Sequence, residues 1–65
     1  MYLIKRTDCE FSVYWSERIG MWTRQDCTQF LTEEMATVRQ AQLVAPCKVV
    51  SVQNEQELFF YGRKA

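Results

Sequence analysis

The sequence predicts an α+β fold: an antiparallel sheet of four to five strands in the order β-β-β-α-β-β, with one helix packed on one face. Three observations predict it. Residues 11–16 alternate Phe11, Val13 and Trp15 with Ser12, Tyr14 and Ser16, the period-two pattern of a half-buried strand. Glu33 to Val44 contains neither glycine nor proline, and every residue in it tolerates a helix. Beyond Pro46, Cys47-Lys-Val-Val-Ser-Val52 is rich in β-branched residues. A sheet and a helix, each apolar on one side, bury those sides against one another as a layer pair.

In order along the chain, Tyr2-Leu-Ile-Lys-Arg6 reads as a short strand and Thr7-Asp-Cys-Glu10 as a polar break. The strand over 11–16 follows, with Phe11, Val13 and Trp15 expected toward the core and Tyr14 toward solvent. Glu17-Arg-Ile-Gly20 turns the chain, Gly20 supplying the positive φ that a hairpin bulge needs, and Met21-Trp-Thr-Arg24 returns. The first half is therefore a three-stranded meander. Thr32 is the expected N-cap, with Glu33 and Glu34 in the first turn where the helix dipole favours negative charge. Asp26 with Gln29 forms a competing capping pattern one turn or more earlier. Met35, Val38 and Gln42, with Ala36 and Leu43, mark the expected inward stripe, and Arg39 falls inside it and must send its head out along the side. Pro46 ends the helix, biasing Ala45 away from helical geometry. After the strand over 47–52, residues 53–57 form a polar loop, Leu58-Phe-Phe-Tyr61 the last strand, and residues 62–65 a frayed basic tail of the single domain 1–65.

Composition narrows the function classes. The 65 residues are 48% hydrophobic and 14% aromatic, too apolar for a disordered chain but enough for only one thin core. Eight basic and eight acidic residues cancel, so no global field steers the chain toward polyanions or membranes. Met1-Tyr-Leu-Ile4 is followed at once by Lys5 and Arg6, too short for a signal peptide, and no run approaches the roughly 18 apolar residues of a membrane span. A soluble protein of the (host) cytoplasm is expected. Cys9, Cys27 and Cys47 are odd in number and lack a C-x-x-C pair, and histidine is absent, so reduced structural thiols are expected rather than disulfides or a metal site.

No catalytic residues and no cofactor are expected. The chain has no Gly-rich phosphate loop and no Gly-x-Ser-x-Gly elbow, and its paired glutamates are explained by the helix start and a polar loop. A domain of this size also has little room for a closed cleft of roughly 300 Å³ or more. What remains is aromatic surface. Phe59 and Phe60 are neighbours and must point to opposite faces of their strand. Tyr14, Arg18, Trp22, Phe59 and Tyr61 compose the expected binding surface, an apolar patch larger than ordinary monomers show. It suits a protein partner or a homodimer seam. The alternative is single-stranded nucleic acid stacked on the same aromatics beside Lys5, Arg6, Arg18, Arg24, Arg63 and Lys64. Glu10, Glu17, Asp26 and Glu57, spread among those basic residues, disfavour it.

The order Tyr14-Trp-Ser-x-x-x-Gly20-x-Trp22, then Phe30-Leu-Thr-Glu-Glu34-Met-Ala36, resembles a pattern in small uncharacterised proteins of bacteriophages and prophages. In those, a Tyr-Trp strand, a Gly-Trp return and a Phe-Thr-x-Glu-Glu-Ala helix start recur in this order; here Met35 interrupts the last run. The likeness covers about residues 11–36. It implies a short phage-type α+β domain, of a group whose role is often unknown and some of whose members inhibit host enzymes or defence complexes, and it transfers no functional residue.

Overall fold

The structure is a computed structural model that describes residues 1–55. Its order is β1 (Tyr2–Arg6), β2 (Tyr14–Ser16), β3 (Met21–Thr23), α1 (Glu33–Gln42) and β4 (Cys47–Ser51), closed by a 3₁₀ turn over Val52–Glu55. The four strands form one antiparallel sheet in the spatial order β3-β2-β1-β4, with α1 packed across β1 and β4. The α+β class and the meander of the first half are as expected. The fifth strand expected over 58–61 lies outside the described residues.

β1 is the structural centre. It pairs with β4 along its whole length, Tyr2 opposite Ser51 through Arg6 opposite Cys47, and with β2 through Lys5 opposite Tyr14. Leu3 and Ile4 are both fully buried. Adjacent strand residues point to opposite faces, so β1 is covered on both sides. The residue before it and the residue after β4 tie the sheet's end, Val52 N–H donating to the Met1 carbonyl at 3.0 Å.

The register across β2 corrects the expected facing. Phe11, Val13 and Trp15 are not the buried set: Tyr14 and Ser16 are fully buried, Trp15 is half-buried, and Phe11 is exposed. The cause is the Lys5–Tyr14 pairing, which puts Tyr14 and Ser16 on the face that carries Leu3. The strand also begins only at Tyr14, so Phe11 stands outside its alternation. The Ser16 hydroxyl is satisfied there by the Ile19 N–H at 3.4 Å. Gly20 takes φ +67°, as the turn chemistry requires, and its N–H closes the loop on the Ser16 carbonyl at 2.8 Å.

The helix starts where expected. Thr32 is extended, at φ −126° and ψ 158°, and its Oγ1 accepts the Met35 N–H at 3.2 Å. Its facing keeps Ala36, Arg39 and Leu43 of the expected stripe and loses Met35, Val38 and Gln42. Met35 and Val38 are 51% and 57% exposed and Gln42 is exposed, whereas Ala36 is fully buried and Arg39, Gln40 and Leu43 are half-buried. Ala36, Arg39, Gln40 and Leu43 are spaced i, i+3, i+4 and i+7, so they form a proper single face. That face wins because Ala36 lets the backbone come close, while Gln40 Nε2 donates to the Cys47 carbonyl at 2.9 Å and pins α1 to β4. The helix ends at Gln42, two residues short of the expected Val44, because Leu43 turns extended (φ −89°, ψ 142°) with its N–H on the Gln40 carbonyl.

Candidate functional site

A helix about 10 Å across covers about two strands spaced 4.8 Å apart. Here it covers β4 and β1, which leaves β2 and β3 open on the same face except where the chain leaves the helix. In that opening Trp15 and Trp22, directly paired across the hairpin, meet edge to face with centroids 5.3 Å apart and planes at 64°. Leu43, Val44 and Ala45 descend beside them with Gln42, and together these residues line a cleft of about 300 Å³. The volume is at the low end for ligand pockets. The recess is open to solvent rather than the closed cleft for which so small a domain is expected to have little room, and it sits beside the core on the uncovered half of the sheet.

Two arginines frame the aromatic pair. The Arg6 guanidinium lies 5.4 Å from the Trp22 ring centre, and that of Arg39 lies 5.8 Å from the Trp15 ring centre. Each is matched by a carboxylate. Arg6 donates to Asp8 through Nε at 2.7 Å and Nη2 at 3.2 Å. This raises the arginine's pKa and holds the Asp8 carboxyl below its ordinary value. Arg39 Nε and Nη2 donate to Glu17, whose Oε2 also accepts the Trp15 indole N–H at 2.8 Å. The Arg39 hydrogen bonds first, and that of Trp15 after them, hold the Glu17 carboxyl below its ordinary value. Arg39 Nη1 reaches Gln42 Oε1 at 2.8 Å, so one network runs from the hairpin to the cleft wall on the helix. Glu17 itself is fixed from behind, its N–H donating to Thr28 Oγ1 at 2.7 Å.

The expected surface is therefore only partly assembled. Trp22 lies in the cleft. Tyr14 is buried on the opposite face, a correction that follows from the register of β2. Arg18 stands on the hairpin turn in an ion pair with Asp26, whose own φ is +63°. Phe59 and Tyr61 lie outside the described residues. Trp15, Glu17, Arg39, Leu43 and Val44 belong to the site and were not expected there. One signal could have found Trp15: a four-residue turn over Glu17–Gly20 pairs Ser16 with Met21 and so Trp15 with Trp22.

Cys9, Cys27 and Cys47 are free thiols, and burial raises the pKa of Cys27 and of Cys47. Among the described residues no group of three or more His, Cys, Asp or Glu side chains could hold a metal ion. No helix among them is long and apolar enough to cross a membrane. Comparison with protein-family models, with curated proteins and with solved structures gives no match for this chain.

Proposed function

We propose that the chain is a non-catalytic protein-binding domain whose Trp15–Trp22 cleft receives an uncharged apolar side chain of a protein partner. One observation carries this reading. The cleft walls are aromatic and aliphatic, and both arginines beside the tryptophans are already matched by carboxylates of the same chain. A neutral rim around an apolar recess favours an aliphatic or aromatic residue and gives a phosphate backbone no unpaired arginine beside the rings. The likeness of residues 11–36 to phage proteins fits a host protein as that partner, in the cytoplasm where such a partner would be met.

The two indole N–H signals report the site directly in a proton–nitrogen correlation spectrum. N-acetyl-leucinamide and N-acetyl-phenylalaninamide are expected to move both signals together with the backbone amides of Leu43 and Val44. Oligo-dT at low salt is expected to move neither. Indole signals that ignore both apolar probes, or that follow oligo-dT with a steep loss on adding salt, would overturn the reading in favour of stacked single strands.

A further inference from the structure

Resting on that reading of the cleft, we infer that its occupant in the free protein is a second copy of this chain, with Val44 of each protomer seated against the Trp15–Trp22 pair of the other about a two-fold axis. The argument starts from Leu43. Its extended conformation throws the chain out of α1, and the next residue, Val44, is left fully exposed, the most exposed large apolar side chain among the described residues. A projecting aliphatic side chain thus stands at the lip of an aromatic recess that it helps to line. Projection and recess on one surface are what an isologous contact requires, because a two-fold axis then presents each protomer's knob to its partner's hole.

The neighbouring surface agrees with this occupant. Val38, exposed and one helical turn before the cleft residue Gln42, extends apolar surface from the cleft wall along α1. The rim charges are internally matched, and the chain's formal net charge is zero, so two copies approach without repulsion. Each contact also occurs twice in a two-fold pair, which doubles what one valine contributes. The patch is small beside the roughly 1,200–2,000 Å² of stable complexes, so the pair is a weak, concentration-dependent one that a better-fitting partner displaces.

Sedimentation equilibrium of the full chain tests this. The wild-type mass is expected to rise from one chain toward two with concentration. Val44→Asp is expected to weaken the association by about tenfold or more. Because Val44 is fully exposed, the variant should keep the wild-type signal dispersion. The cleft itself is probed with N-acetyl-leucinamide in wild type diluted until its mass is that of one chain. In a mixture of isotope-labelled and unlabelled wild type, magnetisation is expected to pass from the Val44 methyls of one chain to an indole ring of the other. A wild-type mass that stays at one chain, a Val44→Asp mass that rises like the wild type, or no such transfer within a dimer overturns the inference. If the wild type stays monomeric while the probe still moves the indole signals, only this inference falls. If the probe moves nothing in wild type diluted to one chain, the cleft reading falls with it.

Discussion

Replacing Glu17 by glutamine removes one charge and little else, and it reports how firmly the hairpin is latched to the helix. The carboxylate accepts the Trp15 indole N–H and two N–H groups of Arg39. Glutamine keeps an oxygen for the indole but loses the ionic attraction to Arg39. The side chains of Glu17 and Arg39 are 39% and 34% exposed, so solvent screens the pair and its worth lies within about 0.2–1 kcal/mol. Glu17→Ala also leaves the indole N–H without its partner, which adds about 0.5–1.5 kcal/mol. The expected losses are therefore about 0.2–1 kcal/mol for glutamine and about 0.7–2.5 kcal/mol for alanine. Against a stability of roughly 3–10 kcal/mol for a domain this size, both are readable by urea denaturation at unchanged m value. A double-mutant cycle with Arg39→Met, which keeps the apolar stem over Trp15, isolates the pair. The pH dependence has a definite sign. Because the folded-state pKa of Glu17 is depressed below its ordinary 4.5, its contribution is present above that value and is lost as pH falls through the folded value. The wild-type advantage over Glu17→Gln should stay level from neutrality to about pH 5 and shrink below it. A coupling energy indistinguishable from zero, or an advantage that widens on acidification, would refute the latch.

Leu3→Ala and Ile4→Ala should each cost about 2–5 kcal/mol in denaturation experiments, since both faces of β1 are covered; a near-neutral result for either would mean one face is open. Thr32→Ala should cost about 1 kcal/mol and lower the helical circular dichroism, and no loss would mean the Met35 N–H finds another acceptor. With iodoacetamide at mildly alkaline pH, mass-resolved peptides should show exposed Cys9 modified before Cys27, whose thiol is half-buried and held protonated by burial; the reverse order would contradict the packing around residue 27.

The elements were more legible in the sequence than their facing. Thr32 with its two following glutamates, Gly20 in its turn and the β-branched run after Pro46 each act through local backbone chemistry, and each lies where that chemistry puts it. The side-chain orientation of β2 was not legible, because alternation over 11–16 is equally regular in either phase. The Lys5–Tyr14 pairing between β1 and β2 chose the phase. The roll of α1 failed for a related reason. Gln40 looks like an outward residue, yet its amide reaches the Cys47 carbonyl on the next strand, and Arg39, expected inside the stripe with its head sent out along the side, finds Glu17 on the hairpin. The cleft was invisible as a site for the same cause, since Trp15 and Val44 come together only after the chain returns across the sheet.

The central position of β1 also governs when this chain can finish folding. Tyr2 pairs with Ser51 and Arg6 with Cys47, separations of 49 and 41 residues, while the partners on the other side of β1 arrive early through the meander. A chain that has closed only its local pairings therefore holds β1, β2 and β3 in a partial sheet, with the middle strand's other edge unpaired until Cys47–Ser51 docks. Pairings of such sequence separation close slowly, and an unpaired edge beside apolar Ile4 invites neighbouring chains in the meantime. Refolding from denaturant at high protein concentration should therefore lose more chain to aggregates than refolding at low concentration, without altering the final structure.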